Sequence, residues 1–145
     1  MSQETELREL FDRWDRQVWE EGRYELIPEC LTPVYTRHGG FVQTSFTYAY
    51  TPEEYGRVVA TQREQSHLRW ILHERAFVGD RVWSRATLVR TDPDTGQQVT
   101  NAIIQVHRVE GGKLAETWIA RNGQGSAWPE MAKAEAAPIG GISRA

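Results

Sequence analysis

Cysteine is nearly absent from this chain. Cys30 is the only one in 145 residues, so no internal disulfide can form. It sits among apolar neighbours and reads as a core residue rather than a nucleophile. No run of about 18 apolar residues occurs, which excludes a transmembrane helix. No block of Lys or Arg occurs either, and the formal net charge is −3. A nucleic-acid partner would find no basic footprint here. No His-x-His or His-x-x-x-His pair accompanies the lone thiol, so no metal site is expected. Glycine-framed serine elbows and phosphate loops are missing as well. The first residues are acidic and polar, unlike a secretion signal. The expectation is a cytoplasmic protein with no cofactor and with neither membrane nor nucleic acid as partner.

What is present suits one ordinary domain with a sizeable core. Apolar residues make up 39% and charged residues 26%. Leu7, Leu10, Phe11, Trp14 and Val18 fall at helical spacing and predict a helix from Gln3 to Glu21, with Gly22 as its stop. A shorter helix carries Leu26, Ile27, Cys30 and Leu31, with Pro28 in its first turn. Val34 to His38 reads as a short strand ended by Gly39-Gly40. Phe41 to Tyr50 fits either a loop or an extended edge. Thr51-Pro52-Glu53-Glu54 is a capping box opening a third helix.

Beyond Ser66 the period changes to two. Leu68, Trp70, Leu72, Ala76 and Val78 alternate with His67, Arg69, His73 and Arg75. Gly79-Asp80 turns the chain, and Val82, Ala86 and Leu88 alternate with Trp83, Arg85 and Thr87. A turn at Asp92-Pro93-Asp94-Thr95-Gly96 leads to a strand from Val99 to Val109. Glu110-Gly111-Gly112 leads to the last, Leu114 to Arg121. Four such strands make an antiparallel meander. After Gly123 the composition shifts to Gly, Ala, Pro and Ser. The expected division is a domain over 1–122 and a loose extension over 123–145, which Trp128 can anchor.

Two local patterns carry a resemblance. Leu31-Thr32-Pro33 followed by His38-Gly39 resembles the first strand of SnoaL-like polyketide cyclases. Arg108-Val109-Glu110-Gly111-Gly112-Lys113-Leu114, followed by Glu116 and Trp118, resembles the last hairpin of the same nuclear-transport-factor-2-like (NTF2-like) superfamily. The resemblance spans about residues 5 to 122 of the chain. It implies an α+β fold, a cone-shaped curved antiparallel sheet packed against three helices. It implies a pocket inside the cone and a homodimer through the outer sheet face.

Carried over residue by residue, the cyclase site survives in part. His38 matches the histidine of the first strand, and Thr32 stands where the cyclases carry asparagine. Gln105 takes a histidine position and Ile103 a glutamine position. The catalytic aspartate falls on Ile119 and its neighbouring histidine on Thr117. Asn122 replaces an aspartate common in relatives. Isoleucine cannot act as an acid or base, so the cyclases' own route is not expected.

The expected site therefore centres on His38, whose imidazole can move a proton near neutral pH. Arg121 or Asn122 would hold an oxyanion. Trp14, Val18, Tyr35, His73, Gln105, His107, Trp118 and Ile119 are the expected substrate-binding residues. Each has a plainer alternative in core, surface or subunit contact. Strand parity decides the last strand: either Thr117, Ile119 and Arg121 face the pocket, or Glu116, Trp118 and Asn122 do. The functional expectation is a cofactor-independent isomerase, dehydratase or cyclase acting by proton transfer on a small, mostly apolar carbonyl compound. The alternatives are a non-catalytic binder using the same cavity, an epoxide hydrolase built on Arg85 or Arg90 with Asp92, and a protein-protein module with a filled cone.

Overall fold

Ser2 opens the first helix, its hydroxyl accepting a hydrogen bond from the Thr5 amide. The computed structural model describes residues 2–41 and 44–131. Helix α1 spans Gln3–Phe11 and continues over Asp12–Glu20 as a π-helix. The wider winding persists to its end, where the Glu21 amide bonds back to the Arg16 carbonyl at 2.9 Å. Leu7, Leu10, Phe11, Trp14, Val18 and Trp19 are buried along this element. Gly22 follows at φ +73°, a left-handed conformation that suits glycine. The next short helix, α2, spans Ile27–Cys30 with Pro28 in its first turn. Helix α3, Pro52–Gln65, starts with the expected capping box between Thr51 and Glu54, worth about 1 kcal/mol.

Six strands make one sheet: β1 Leu31–Phe41, β2 Thr44–Tyr50, β3 Arg69–Val78, β4 Arg81–Thr91, β5 Gln98–Glu110 and β6 Lys113–Arg121. Their order is β2-β1-β6-β5-β4-β3. The last four strands form the expected antiparallel meander, but β1 joins β6 in parallel, so the sheet is mixed. Phe41 to Tyr50, open between loop and edge from sequence, contributes the edge strand β2 from Thr44 onward. The glycine pair does not end β1. A Cβ at Gly39 would lie 2.3 Å from the Ile119 methyl, so glycine lets β1 pass β6 at that point.

The helices cover one face of this sheet. That inner face carries Tyr35 and Arg37 from β1, and Val82, Ser84, Ala86 and Leu88 from β4. It also carries Asn101, Ile103, Gln105 and His107 from β5, and Thr117, Ile119 and Arg121 from β6. On β3 a bulge at His73, between the Leu72 and Glu74 pairings, switches the parity. Arg75 and Phe77 then turn inward, and Ala76 and Val78 turn out, against the alternation expected from sequence.

The outer face is partly covered by the segment after β6. The Trp128 indole N–H donates to the Ala86 carbonyl at 2.9 Å and the Ile103 carbonyl at 3.2 Å. Arg85 lies over the Trp128 ring and pairs with Glu130. Met131 packs on Ile71 and Val89. Through Met131, then, the segment is packed rather than loose.

Candidate active site

Inside the cone is a cavity of about 30 Å³, room for roughly one water. Trp14, Trp19, Tyr55 and Trp70 form its aromatic wall. Trp14 stacks on Tyr55 with ring centres 6.0 Å apart, and Trp19 meets both Trp14 and Trp70 edge-on. Asp15, Arg37, Arg75, Ser84, Gln105 and His107 supply its polar groups. A groove of about 450 Å³ runs alongside, between the first helical element and β3. Asp15, Leu72 and Arg75 line both spaces.

The π-wound segment carries Trp14, Asp15 and Trp19 to the cavity. Asp15 meets Arg75 in an ion pair of 2.6 Å, with the two side chains only 19% and 12% exposed. Arg75 also donates to the Ser84 hydroxyl at 3.0 Å. The bulge at His73 is what turns Arg75 towards Asp15.

A buried chain of hydrogen bonds crosses β1, β6 and β5. Arg37 donates to the Tyr35 hydroxyl at 2.9 Å, Tyr35 and Thr117 share a bond of 2.6 Å, and Thr117 and the His107 Nδ1 share one of 2.8 Å. Its direction follows from satisfying every donor. Tyr35 is fully buried and its oxygen already accepts from Arg37, so its own proton goes to Thr117. The Thr117 proton then goes to Nδ1. That leaves the His107 proton on Nε2. Burial, reinforced by Arg75 and Arg37, holds this imidazole well below its usual pKa. His107 thus presents a neutral N–H donor.

His107, Gln105 and Trp14, all expected site residues, line the cavity. Tyr35 is buried behind it in the hydrogen-bond chain, and Val18 is buried in the core around it. Ile119 is on the inner face but packs with Ala86, Leu88 and Ile103. Arg121 shares that face, and burial followed by the nearby Arg37 charge lowers its pKa. The parity of β6 is therefore the one with Thr117, Ile119 and Arg121 inward.

Four expectations fail on geometry. His38 pairs with Trp118 across β1 and β6 on the outer face. Its ring stacks on Trp118 at 5.4 Å, bonds Glu116 at 2.6 Å and bonds Thr47 at 2.9 Å. Neither His38 nor Trp118 reaches the cavity. His73 sits at the bulge, bonds Thr87 on the outer side of β4 and borders the 450 Å³ groove rather than the inner cavity. Asn122 lies exposed beyond the strand end. Of the two arginines weighed for an epoxide hydrolase, Arg85 points outward and is paired with Glu74 and Glu130, while Arg90 shares the inner-face parity of Ala86 and Leu88.

Sequence reasoning missed Asp15, Arg37, Tyr55, Arg75 and Ser84 as pocket residues. Arg37 was legible, since it shares strand parity with Tyr35. The outward turn of His73 was legible in its alternation with Trp70 and Leu72, but the inward turn of Arg75 was not, because a bulge leaves no reliable mark. Cys30 is buried, and burial pushes its thiol up to about 11. Among the described residues no three His, Cys, Asp or Glu side chains gather as a metal would require. Among them, too, no helix is long and apolar enough to cross a membrane.

The fold and the inner cavity define an NTF2-like protein. A SnoaL-like domain matches residues 8–117, and the chain belongs to that family. A comparison with curated proteins gave no match. Solved structures share the fold. A polyketide-cyclase candidate from Acidithiobacillus ferrooxidans is 23% identical with a TM-score of 0.66, covering 82% of this chain and 89% of its own. An NTF2-like protein of unknown function from Mesorhizobium loti is 18% identical with a TM-score of 0.66, covering 85% and 96%. An LEH-like epoxide hydrolase from M. tuberculosis is 10% identical with a TM-score of 0.65, covering 81% and 83%. At these identities the likenesses show the fold.

Proposed function

We propose that the protein is a cofactor-independent enzyme that moves a proton on a small, mostly apolar carbonyl compound. The observation that carries this reading is the neutral His107 N–H in the same cavity as the Asp15 carboxylate. A carbonyl oxygen would accept from His107 Nε2 and from the Gln105 amide. Asp15 would take a proton from the carbon next to that carbonyl. The C–H electrons move into the C–C bond, and the carbonyl π electrons move onto oxygen. The donors hold the resulting enolate. Arg75 holds the Asp15 carboxylate in place through the 2.6 Å pair. Returning the proton elsewhere gives isomerisation, expelling a β-hydroxyl gives dehydration, and attack on a second carbonyl gives cyclisation. The aromatic wall suits a flat apolar body.

The test needs no knowledge of the natural substrate. Incubated in D₂O with 2-tetralone, the protein is expected to speed deuterium uptake next to the carbonyl, read by mass spectrometry. His107→Ala and Asp15→Asn should abolish the gain, and His38→Ala should keep it. Uptake no faster than with buffer alone would reject proton transfer on such carbonyls.

A non-catalytic binder is the second reading. What favours it is the size of the cavity, about 30 Å³, too small for a whole flat ligand without rearrangement. Saturable binding of a flat carbonyl compound with no exchange would support it. A second copy on the outer face belongs to either reading, because Trp83, Ile104 and Trp118 stand exposed there. A native mass of twice the chain is the expected result.

A further inference from the structure

Arg37 is 8% exposed and, among the described residues, its side chain makes one hydrogen bond, to the Tyr35 hydroxyl. Its other neighbours are the Tyr35 and Tyr55 rings, 6.0 and 5.4 Å from the guanidinium carbon. Among the described residues no carboxylate pairs with it. The other deeply set arginine of the cavity, Arg75, has Asp15. Burial raises the pKa of Tyr55, so its phenol stays neutral and offers no negative charge. An uncompensated guanidinium in a protein interior costs stability, and it is retained at functional sites.

We propose that Arg37 is the seat of a carboxylate, and that the ligand of this cone is a flat aromatic or polycyclic monocarboxylic acid. This rests on the pocket of the preceding section but not on its chemistry. The charge balance sets the valence. Of the charged side chains lining the cavity, Asp15 and Arg75 cancel, and Arg37 remains. One negative charge neutralises it, whereas a phosphate dianion would overshoot. The shape agrees. A planar carboxylate can take two parallel N–H bonds from a guanidinium. It is also small enough for a cavity of about 30 Å³, while the ring system lies towards the 450 Å³ groove. Trp70 lines the same cavity, and its buried indole N–H has no partner among the described residues. Such an orphan donor is what a ligand oxygen would satisfy.

The probes are naphthalene-2-carboxylate and its methyl ester, titrated against tryptophan fluorescence at pH 7.5 and low salt. The carboxylate is expected to bind at least tenfold more tightly. Arg37→Met should erase the preference without lowering the melting temperature, since it removes an unpaired charge. Arg37→Lys should keep part of it. Equal affinity for acid and ester in the wild-type protein overturns the inference and leaves the carbonyl chemistry standing. A preference that survives in folded Arg37→Met also overturns it. Selective acid binding with no deuterium exchange supports the inference and rejects the chemistry. Binding of neither probe at millimolar concentration overturns both.

Discussion

The two faces of the sheet carry the same kinds of residue under different rules. On the outer face every basic group in the central rows is answered. Glu116 bonds both His38 and Arg108, and Arg85 lies between Glu74 and Glu130. On the inner face Asp15 answers Arg75, His107 is held neutral, and Arg37 keeps its charge without a carboxylate. Arg37 and His38 are adjacent in sequence, as are Thr117 and Trp118, yet strand alternation sends each pair to opposite faces. Satisfied charges hold the outer face together. A guanidinium with no carboxylate among the described residues, a neutral imidazole and a single carboxylate mark the inner face as the working side.

The sharpest way to break this contrast is kinetic. His107→Ala and Asp15→Asn should each slow 2-tetralone exchange by about 10²-fold to 10⁴-fold. His38→Ala should stay within about threefold of wild type, because its ring stacks on the far side of β6. Deuterium uptake rates for the three variants decide the matter. If His38→Ala were the damaging one, the working side would be the outer face.

Next in size is the ion pair. Arg75→Met takes the 2.6 Å ion pair away from the partly buried Asp15 carboxylate. It should cost about 2–4 kcal/mol, below the range for fully buried pairs because both side chains keep some solvent contact. Chemical denaturation measures it. Asp15→Asn combined with Arg75→Met should cost less than the two single losses added together. An outer-face pair such as Arg85 with Glu74, where Glu74 is 68% exposed, should show a coupling under about 1 kcal/mol.

Much of this architecture was legible beforehand, for reasons that separate the elements. The capping box, the two-residue period and the glycine turns are local signals, and they located α3 and the β3–β6 meander. The parity of the last strand was not legible: it was open between Thr117, Ile119 and Arg121 and the set Glu116, Trp118 and Asn122. What escaped was non-local. Nothing in Val34 to Phe41 announces that β1 pairs in parallel with β6, and that pairing aligns His38 with Trp118. The π-wound stretch from Asp12 to Glu20 keeps Trp14 and Val18 buried while bringing Asp15 and Trp19 to the cavity as well. A simple 3.6-residue stripe does not foresee that widening.

The strap after β6 gives a smaller effect on the outer side alone. Trp128→Ala removes two bonds to strand carbonyls and the stacking on Arg85. It should cost about 1–2 kcal/mol and make the chain beyond β6 more easily cleaved. Exchange by the inner site should not change. Limited proteolysis and the 2-tetralone assay together separate strap from pocket.

The mildest expectation concerns pH, and its sign follows from His107. The folded protein holds this imidazole well below its usual value of 6.5, so it stays neutral. In the unfolded chain it gains a proton below about pH 6.5. The unfolded state therefore binds more protons in that window, and stability must fall as pH falls. The contribution is whole above about pH 6.5 and drains away below it. His73, whose pKa is also lowered by burial, acts in the same direction from the outer face. Melting temperatures between pH 7.5 and 5.5 should decline, and His107→Gln should flatten the decline more than His73→Gln does. Equal flattening by the two variants would mean that the inner face is no drier than the outer one. The separation between a working face and a holding face would then lose its electrostatic basis.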